Sequence, residues 1–230
     1  MAKRKPKNPQ GIPSELKKLI KDFDSIITRG YDRRRTFDIW IDIMIYMFSF
    51  NFNNQEEFEI ERKKAHEKIQ ERLSYFREEE RDKIYNKLIQ LFHDLGEGMT
   101  KKQEDVLGNF YMVEITWNSN GQFFTPPSIC KMLSQIVVNK KERNFGLVIN
   151  DPACGSGTML LEYAKQRPQN YFIGQDLDLT CVKMCALNLA LNSLEGEVRW
   201  GNTLLMEKRK VFYVRKNNYG FSSIQCICSE

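Results

Sequence analysis

Asp151-Pro152-Ala153-Cys154-Gly155-Ser156-Gly157-Thr158 is the stretch on which the reading of this 230-residue chain turns. It follows the apolar run Leu147-Val148-Ile149, which reads as a buried strand, and it opens a helical segment, Thr158 to Ala164. Strand, glycine turn and helix in immediate succession describe the ligand-binding corner of an open α/β sheet. Gly155 and Gly157 permit a tight turn and let a ligand come close to the backbone. The loop lacks the Gly-Lys-Ser/Thr of a P-loop and the third glycine of the full dinucleotide fingerprint. It is not a nucleophile elbow, because Cys154 stands where that motif needs glycine. A thiol nucleophile at Cys154 would need a base, and the only histidines, His66 and His93, lie in the charged helical half.

Downstream of the loop the pattern repeats. Tyr171-Phe172-Ile173 reads as a second strand, Leu179 to Leu191 as a second helix, and Val198 to Trp200 as a third strand. Strands alternating with helices at this spacing imply an α/β class with a parallel, doubly wound sheet. Asp176, at the end of the second strand, stands 19 residues after Gly157. An acid there can accept hydrogen bonds from both ribose hydroxyls of an adenosine-containing ligand. Asp178 stands where the next helix begins and reads as its cap.

Upstream, the chain reads as helix. Leu16, Leu19, Ile20, Phe23 and Ile26 recur at helical spacing. Phe37 to Phe50 is the most hydrophobic run. It is interrupted by Asp38 and Asp42 and is too short to span a bilayer, so it reads as a helix buried on most sides, capped by Thr36 or Asp38. A charged helical segment from Glu56 to Arg77 follows, then one closed by Gly96 and Gly98. Asp105 to Val113 is a short helix, and Ser128 to Val138 an amphipathic one with Pro127 in its first turn. The expected organisation is a basic, disordered arm over 1–11, a helical domain over 12–115, and an α/β domain over 116–230.

Composition sets outer bounds. Hydrophobic residues make up 41% and charged residues 28%, which suits a globular chain and excludes collagen-like, mucin-like and disordered classes. Net charge is +5, and its placement is more telling than its size. Lys3, Arg4, Lys5 and Lys7 crowd one end, and Lys208, Arg209 and Lys210 form a second cluster, both suited to phosphate contacts on double-stranded DNA. The N-terminus is polar and carries no apolar leader, so the six cysteines read as reduced thiols of a cytoplasmic protein that meets no membrane. Cys181, Cys185, Cys226 and Cys228 leave a four-thiolate zinc site conceivable. The missing Cys-x-x-Cys knuckles favour buried small apolar side chains instead, and no metal site is expected.

Taken together, three segments resemble the adenine-N6 DNA methyltransferases, most closely the modification subunits of type I restriction systems and related orphan methylases. Gly121-Gln122-Phe123-Phe124-Thr125-Pro126 resembles the family's upstream cofactor motif, Asp151 to Thr158 its glycine loop, and Gly174 to Asp178 with Leu187-Asn188-Leu189-Ala190-Leu191-Asn192 its second motif and helix. Asp105 to Tyr111 also resembles the segment that precedes the catalytic domain in these subunits.

The resemblance implies a Rossmann-like fold, present in part, and S-adenosylmethionine as cofactor. It places the methionine part over Asp151, Ala153, Cys154, Gly155 and Gly157, with Gln122, Phe123, Phe124, Thr125 and Pro126 closing that side. It gives the ribose to Asp176, the adenine face to Leu177 and the adenine amino group to Asn202. An NAD-dependent oxidoreductase is the outsider, and the Gly-Gln-Phe-Phe-Thr-Pro segment speaks against it.

The family's acceptor site is Asn or Asp, then Pro-Pro, then Tyr or Phe, and it holds a flipped adenine. No such tetrad occurs in these 230 residues, since Pro126-Pro127 is flanked by Thr125 and Ser128. No catalytic residue is therefore assigned. Three readings stay open: a methyltransferase whose catalysis depends on a partner polypeptide, a non-catalytic cofactor- and DNA-binding module, or a truncated gene product. The isolated chain is expected to be weakly active or inactive.

Overall fold

The computed structural model describes residues 14–50, 55–102, 105–115, 124–138, 145–216 and 222–228. The basic arm with Lys3, Arg4, Lys5 and Lys7 lies outside these residues, as do Gln122 and Phe123. The first half is helical: α1 (Ser14–Ile27), α2 (Arg33–Met47), α3 (Gln55–Leu73), a 3-10 turn (Glu78–Glu80), α4 (Arg81–Lys102) and α5 (Val106–Glu114). Leu16, Leu19, Phe23 and Ile26 form the buried stripe of α1. The apolar run becomes α2, with Phe37, Ile39, Trp40, Ile41, Ile43, Met44 and Ile45 all buried. Phe23, Phe37, Trp40 and Phe110 pack ring on ring at the centre of this half.

Two helix ends differ from expectation. The cap of α2 is Asp32, one turn before Thr36: its extended backbone lets Oδ1 accept from the Arg35 N–H at 2.7 Å. Thr36 lies inside the helix and bonds back to the Asp32 carbonyl, while Asp38 accepts from Thr180 Oγ1 at 2.9 Å. Gly96 and Gly98 do not close α4, which runs through them to Lys102. Neither takes the positive φ that ends a helix, and glycine inside a helix costs only about 1 kcal/mol relative to alanine.

The second half contains α6 (Pro127–Val137), β1 (Val148–Asp151), α7 (Thr158–Ala164), β2 (Tyr171–Asp176), α8 (Leu179–Leu191), β3 (Glu195–Trp200), β4 (Lys210–Lys216) and β5 (Ser222–Cys228). It is an α/β fold on one five-stranded sheet in the order β1-β2-β3-β4-β5. The parallel reading holds for β1, β2 and β3, with Asn150 opposite Ile173 and Gly174 opposite Val198. The basic stretch after Leu204 becomes β4, and β4 and β5 extend the sheet antiparallel. Among the described residues β1 pairs on one side only, and Val148 is 62% exposed.

Helix α8 is buried almost all round, because it packs on β2 to β5 and also meets α2 and α5. A short polar seam holds the two halves together. Arg34 donates to Tyr111 Oη at 2.6 Å and to Thr180 Oγ1 at 3.1 Å, and it faces Asp178 at 3.5 Å. Asp42 accepts from Lys183 and pairs with Arg72. No described helix is long and apolar enough to cross a membrane.

Candidate cofactor pocket

The glycine loop leaves the carboxyl end of β1 and returns into α7. Gly155 (φ +52°) and Gly157 (φ +90°) both take left-handed backbone, which side chains resist. At Gly157 a Cβ would also come within 2.7 Å of Cys185 Sγ on α8, so the loop can bed on that helix only with glycine there. Cys154 N–H donates to the Gln175 carbonyl at 2.9 Å, which ties the loop to β2. Gly155 N–H donates to Asp176 Oδ2 at 2.9 Å, and Asp176 Oδ1 accepts from Asp178 N–H at the same distance. Asp178 caps α8 through the Thr180 and Cys181 N–H groups, as its position suggests.

Above the loop is a cavity of about 250 Å3. Asp151 and Asp176, at the ends of adjacent parallel strands, line it with Gly155, Phe124 and Thr125. Burial pushes the Asp151 carboxyl above its ordinary range. The Ala153 N–H, 3.1 Å from Oδ1, works against that shift, and the charge of Asp176 adds to it. The wall is thus carboxylate-rich and short of compensating cations, which suits a cationic or diol-bearing ligand.

Phe124 lies over the loop: a Cβ on Gly155 would meet its ring at 3.2 Å. Its ring stacks on Tyr111 of α5, with centroids 5.7 Å apart and planes inclined by 16°, and the Arg34 guanidinium covers the Tyr111 ring at 5.2 Å. Burial first, then the charge of Asp178, raises the Tyr111 phenol, which stays neutral. One wall of the pocket is therefore braced by the helical half.

Of the residues read from the sequence, Phe124, Thr125, Asp151, Ala153, Cys154, Gly155 and Asp176 line the cavity. Gly157 lies beneath the loop, and Pro126 caps the start of α6. Leu177 is 62% exposed beside the pocket, and its carbonyl accepts from Trp200 Nε1 at 2.9 Å. Asn202 Oδ1, the acceptor suited to an adenine amino group, accepts from the Leu204 and Leu205 N–H groups at 3.0 and 3.4 Å. Thr203 Oγ1 ties this turn to the Pro152 carbonyl at 2.7 Å. Arg209 stacks on Trp200 and pairs with Glu207, Lys208 is exposed, and Lys210 begins β4.

Sequence reading missed the wall contributed by helices. Cys130 of α6, Met159 of α7 and Cys181 of α8 face the cavity, beside Ser156 and Thr158 of the loop stretch read from the sequence. Burial, then the charge of Glu162, pushes the Cys130 thiol up to about 11, and burial raises Cys181 as well. The hydrogen bond with Cys185, together with burial, holds Cys154 well above its ordinary value. These thiols are protonated at neutral pH, and neither histidine is in the wall, so nothing here serves a thiol nucleophile. Cys226 and Cys228 are exposed on β5, not buried as expected, because β5 is an edge strand. Among the described residues no group of three or more His, Cys, Asp or Glu side chains is placed to hold a metal.

Comparison with known proteins gives this pocket a family. The family model described as N-6 DNA Methylase matches residues 99–223, from the end of α4 into β5. A type I restriction enzyme methylase subunit (MjaIX) of Methanocaldococcus jannaschii is 27% identical over 128 residues, 50% of this chain and 22% of that protein. The MpnII methylase subunit of Mycoplasma pneumoniae is 28% identical over 167 residues, 69% of this chain and 29% of that protein. This chain spans between 20% and 29% of the length of the curated relatives it matches. A solved type I restriction-modification methyltransferase subunit from Streptococcus thermophilus overlaps 83% of this chain and 58% of its own, at 16% identity and a TM-score of 0.45. The matched span takes in the glycine loop, both pocket carboxylates, the bracing helix α5 and most of the sheet, more than half of the chain, and on that match the chain belongs to the N-6 DNA methylase family.

Proposed function

We propose that this chain binds S-adenosylmethionine in the pocket above the glycine loop and serves adenine-N6 methylation of DNA in a type I-like modification system. The observation that carries this is the pairing of Asp151 and Asp176 across a glycine loop at the carboxyl ends of two adjacent parallel strands. The donor set fits the ligand: an ammonium and a sulfonium centre suit two carboxylates, and a ribose diol suits Asp176. When bound, the cofactor supplies an electrophilic methyl group. The protein's own part is to hold that ligand. Asp176 keeps lone pairs for the ribose while fixing Gly155, and Phe124 closes the methionine side. Lys208 and Arg209, just before β4, and Lys210 at its start supply the contacts to DNA phosphates.

Transfer of the methyl group needs an acceptor site, and the family's tetrad is not in these 230 residues. We place that site, and the reading of the DNA target, outside these 230 residues.

Isothermal titration calorimetry with S-adenosylmethionine tests the cofactor. The wild-type chain should bind it far more tightly than NAD. Asp176→Ala should cost about 1.5–3 kcal/mol, roughly 10- to 150-fold in affinity, because hydrogen bonds to a charged group are lost. A folded wild-type protein that gives no heat with S-adenosylmethionine would refute the cofactor assignment. The DNA assignment has its own measure in fluorescence anisotropy with a labelled duplex. Affinity should fall with rising salt at a slope of about −0.9 per phosphate neutralised, with little preference among sequences. Replacing Lys208 and Lys210 by alanine should flatten that slope, and a salt-independent affinity would contradict the phosphate contacts.

A further inference from the structure

At the glycine loop, a carboxylate from the helical half reaches two residues of the cavity lining, Ser156 and Thr158. Asp105 is the N-cap of α5, and its side chain is buried, with the residue only 5% exposed. Its Oδ1 accepts from Gly108 N–H at 2.7 Å, the ordinary capping bond, and from Asn188 Nδ2 of α8 at 2.8 Å. Its Oδ2 accepts from Ser156 Oγ and from Thr158 Oγ1, the latter at 2.7 Å. A helix cap needs the first of these bonds only. The other three fasten α5 to the loop and to the helix under it.

The surroundings are built around this contact. A Cβ on Gly108 would overlap both Asp105 Oδ2 and Ser156 Oγ, so α5 approaches the loop as closely as only glycine allows. Asn188, fully buried, donates to Asp105 and, at 2.8 Å, to the Ser156 carbonyl, and its own Oδ1 is left without a hydrogen-bond partner. A buried amide that gives up its acceptor to aim its protons at these two oxygens is a sign of a position fixed on purpose. Ser156 is itself buried at 1% exposure, so its hydroxyl is held by Asp105 and not by solvent.

We infer that Asp105 is a positioning residue, the carboxylate by which the helical half holds Ser156 and Thr158 and so keeps the glycine loop in the shape that receives the cofactor. This rests on the cofactor assignment above for its ligand, but not for its geometry. It makes the helical half part of the cofactor site: whatever draws α5 away from the loop weakens binding, and by linkage a bound cofactor draws α5 in.

Two substitutions separate the cap from the clamp. Asp105→Ser keeps a good N-cap for Gly108 but is too short to reach the loop hydroxyls. Asp105→Asn keeps Oδ1 for Gly108 and Asn188 and turns its amide toward Ser156 and Thr158, whose hydroxyls can accept as well as donate. Calorimetry with S-adenosylmethionine should show Asp105→Ser weakened about tenfold or more, with Asp105→Asn restored to within a few-fold of wild type. Thermal midpoints should differ little between the two variants. Hydrogen exchange on the ligand-free protein gives a reading that needs no cofactor: the Gly155 and Gly157 amides should exchange faster in Asp105→Ser and not in Asp105→Asn.

Wild-type affinity in Asp105→Ser, together with unchanged exchange, would overturn the inference. So would equal losses in both variants that track the thermal midpoint, since that is a general destabilisation. If wild type binds no cofactor but the exchange difference appears, the positioning role stands and the cofactor assignment falls.

Discussion

Purified alone, the chain should transfer essentially no labelled methyl groups to adenines in duplex DNA, even when saturated with S-adenosylmethionine. The exocyclic nitrogen of adenine is a weak nucleophile whose lone pair is drawn into the ring. The family meets this with a polar side chain and a carbonyl that accept its two protons and turn the lone pair toward the methyl donor. No Asn/Asp-Pro-Pro-aromatic sequence is present in these residues to do so. Losing proximity and orientation removes about 7–11 kcal/mol of barrier lowering, which is roughly five orders of magnitude or more in rate. A well-bound cofactor does not compensate, because binding that is equal in ground and transition states leaves the chemical step unchanged. Filter-binding of tritiated DNA measures this directly. Adding a polypeptide that carries the tetrad should restore incorporation. Robust N6-methyladenine formation by the chain alone would mean a different acceptor site, with Asp151 and Asn202 the first positions to change.

The second large effect is on stability. Phe110→Ala should lower the unfolding free energy by about 3–5 kcal/mol, as large-to-small changes in close-packed cores do. Phe110 is fully buried, stacked on Phe37 at 5.9 Å and edge-on to Phe23 and Trp40 at 5.3 and 5.7 Å. Three aromatic neighbours cannot collapse together into the space of one ring, so most of the cavity persists. A typical domain has only about 5–15 kcal/mol in total, so the loss is a large share of it. Urea titration followed by far-ultraviolet circular dichroism reads it as a lower midpoint. A loss under about 1 kcal/mol would show that the aromatic cluster repacks freely. Because α5 also carries Asp105 at its cap and Tyr111 beside Phe124, the same variant should loosen the pocket before the helices melt.

Much of this architecture is legible in the sequence because local signals and global packing agree there. The stripe Leu16, Leu19, Phe23, Ile26 gives α1, and the apolar runs at 147–149 and 171–173 give β1 and β2 beside a glycine turn. Asp178 caps α8 as its place predicts. Asp151, Asp176 and Gly155 are legible for the same reason, being fixed by the ends of strands. The rest depends on how elements dock. Which residues of α6, α7 and α8 face the cavity is set by packing, and no periodicity within each helix distinguishes Cys130 or Met159 from their neighbours. The end of α4 is misread because glycine halts a helix only where the backbone turns left-handed, and there it does not. The Asp105 clamp spans 51 residues to Ser156 and 83 to Asn188, a distance over which a cap and a clamp look identical in one dimension.

The indole of Trp200, at the end of β3, has its N–H on the Leu177 carbonyl and the Arg209 guanidinium 5.1 Å above the ring. Trp40, by contrast, is sealed in the helical core against the Leu88 carbonyl. Among the described residues, two of the three tryptophans therefore sit in opposed surroundings, one screened from solvent and one capped by a cation. A purine settling on Leu177, or a phosphate drawing Arg209 aside, should alter the emission of Trp200 without any dye attached.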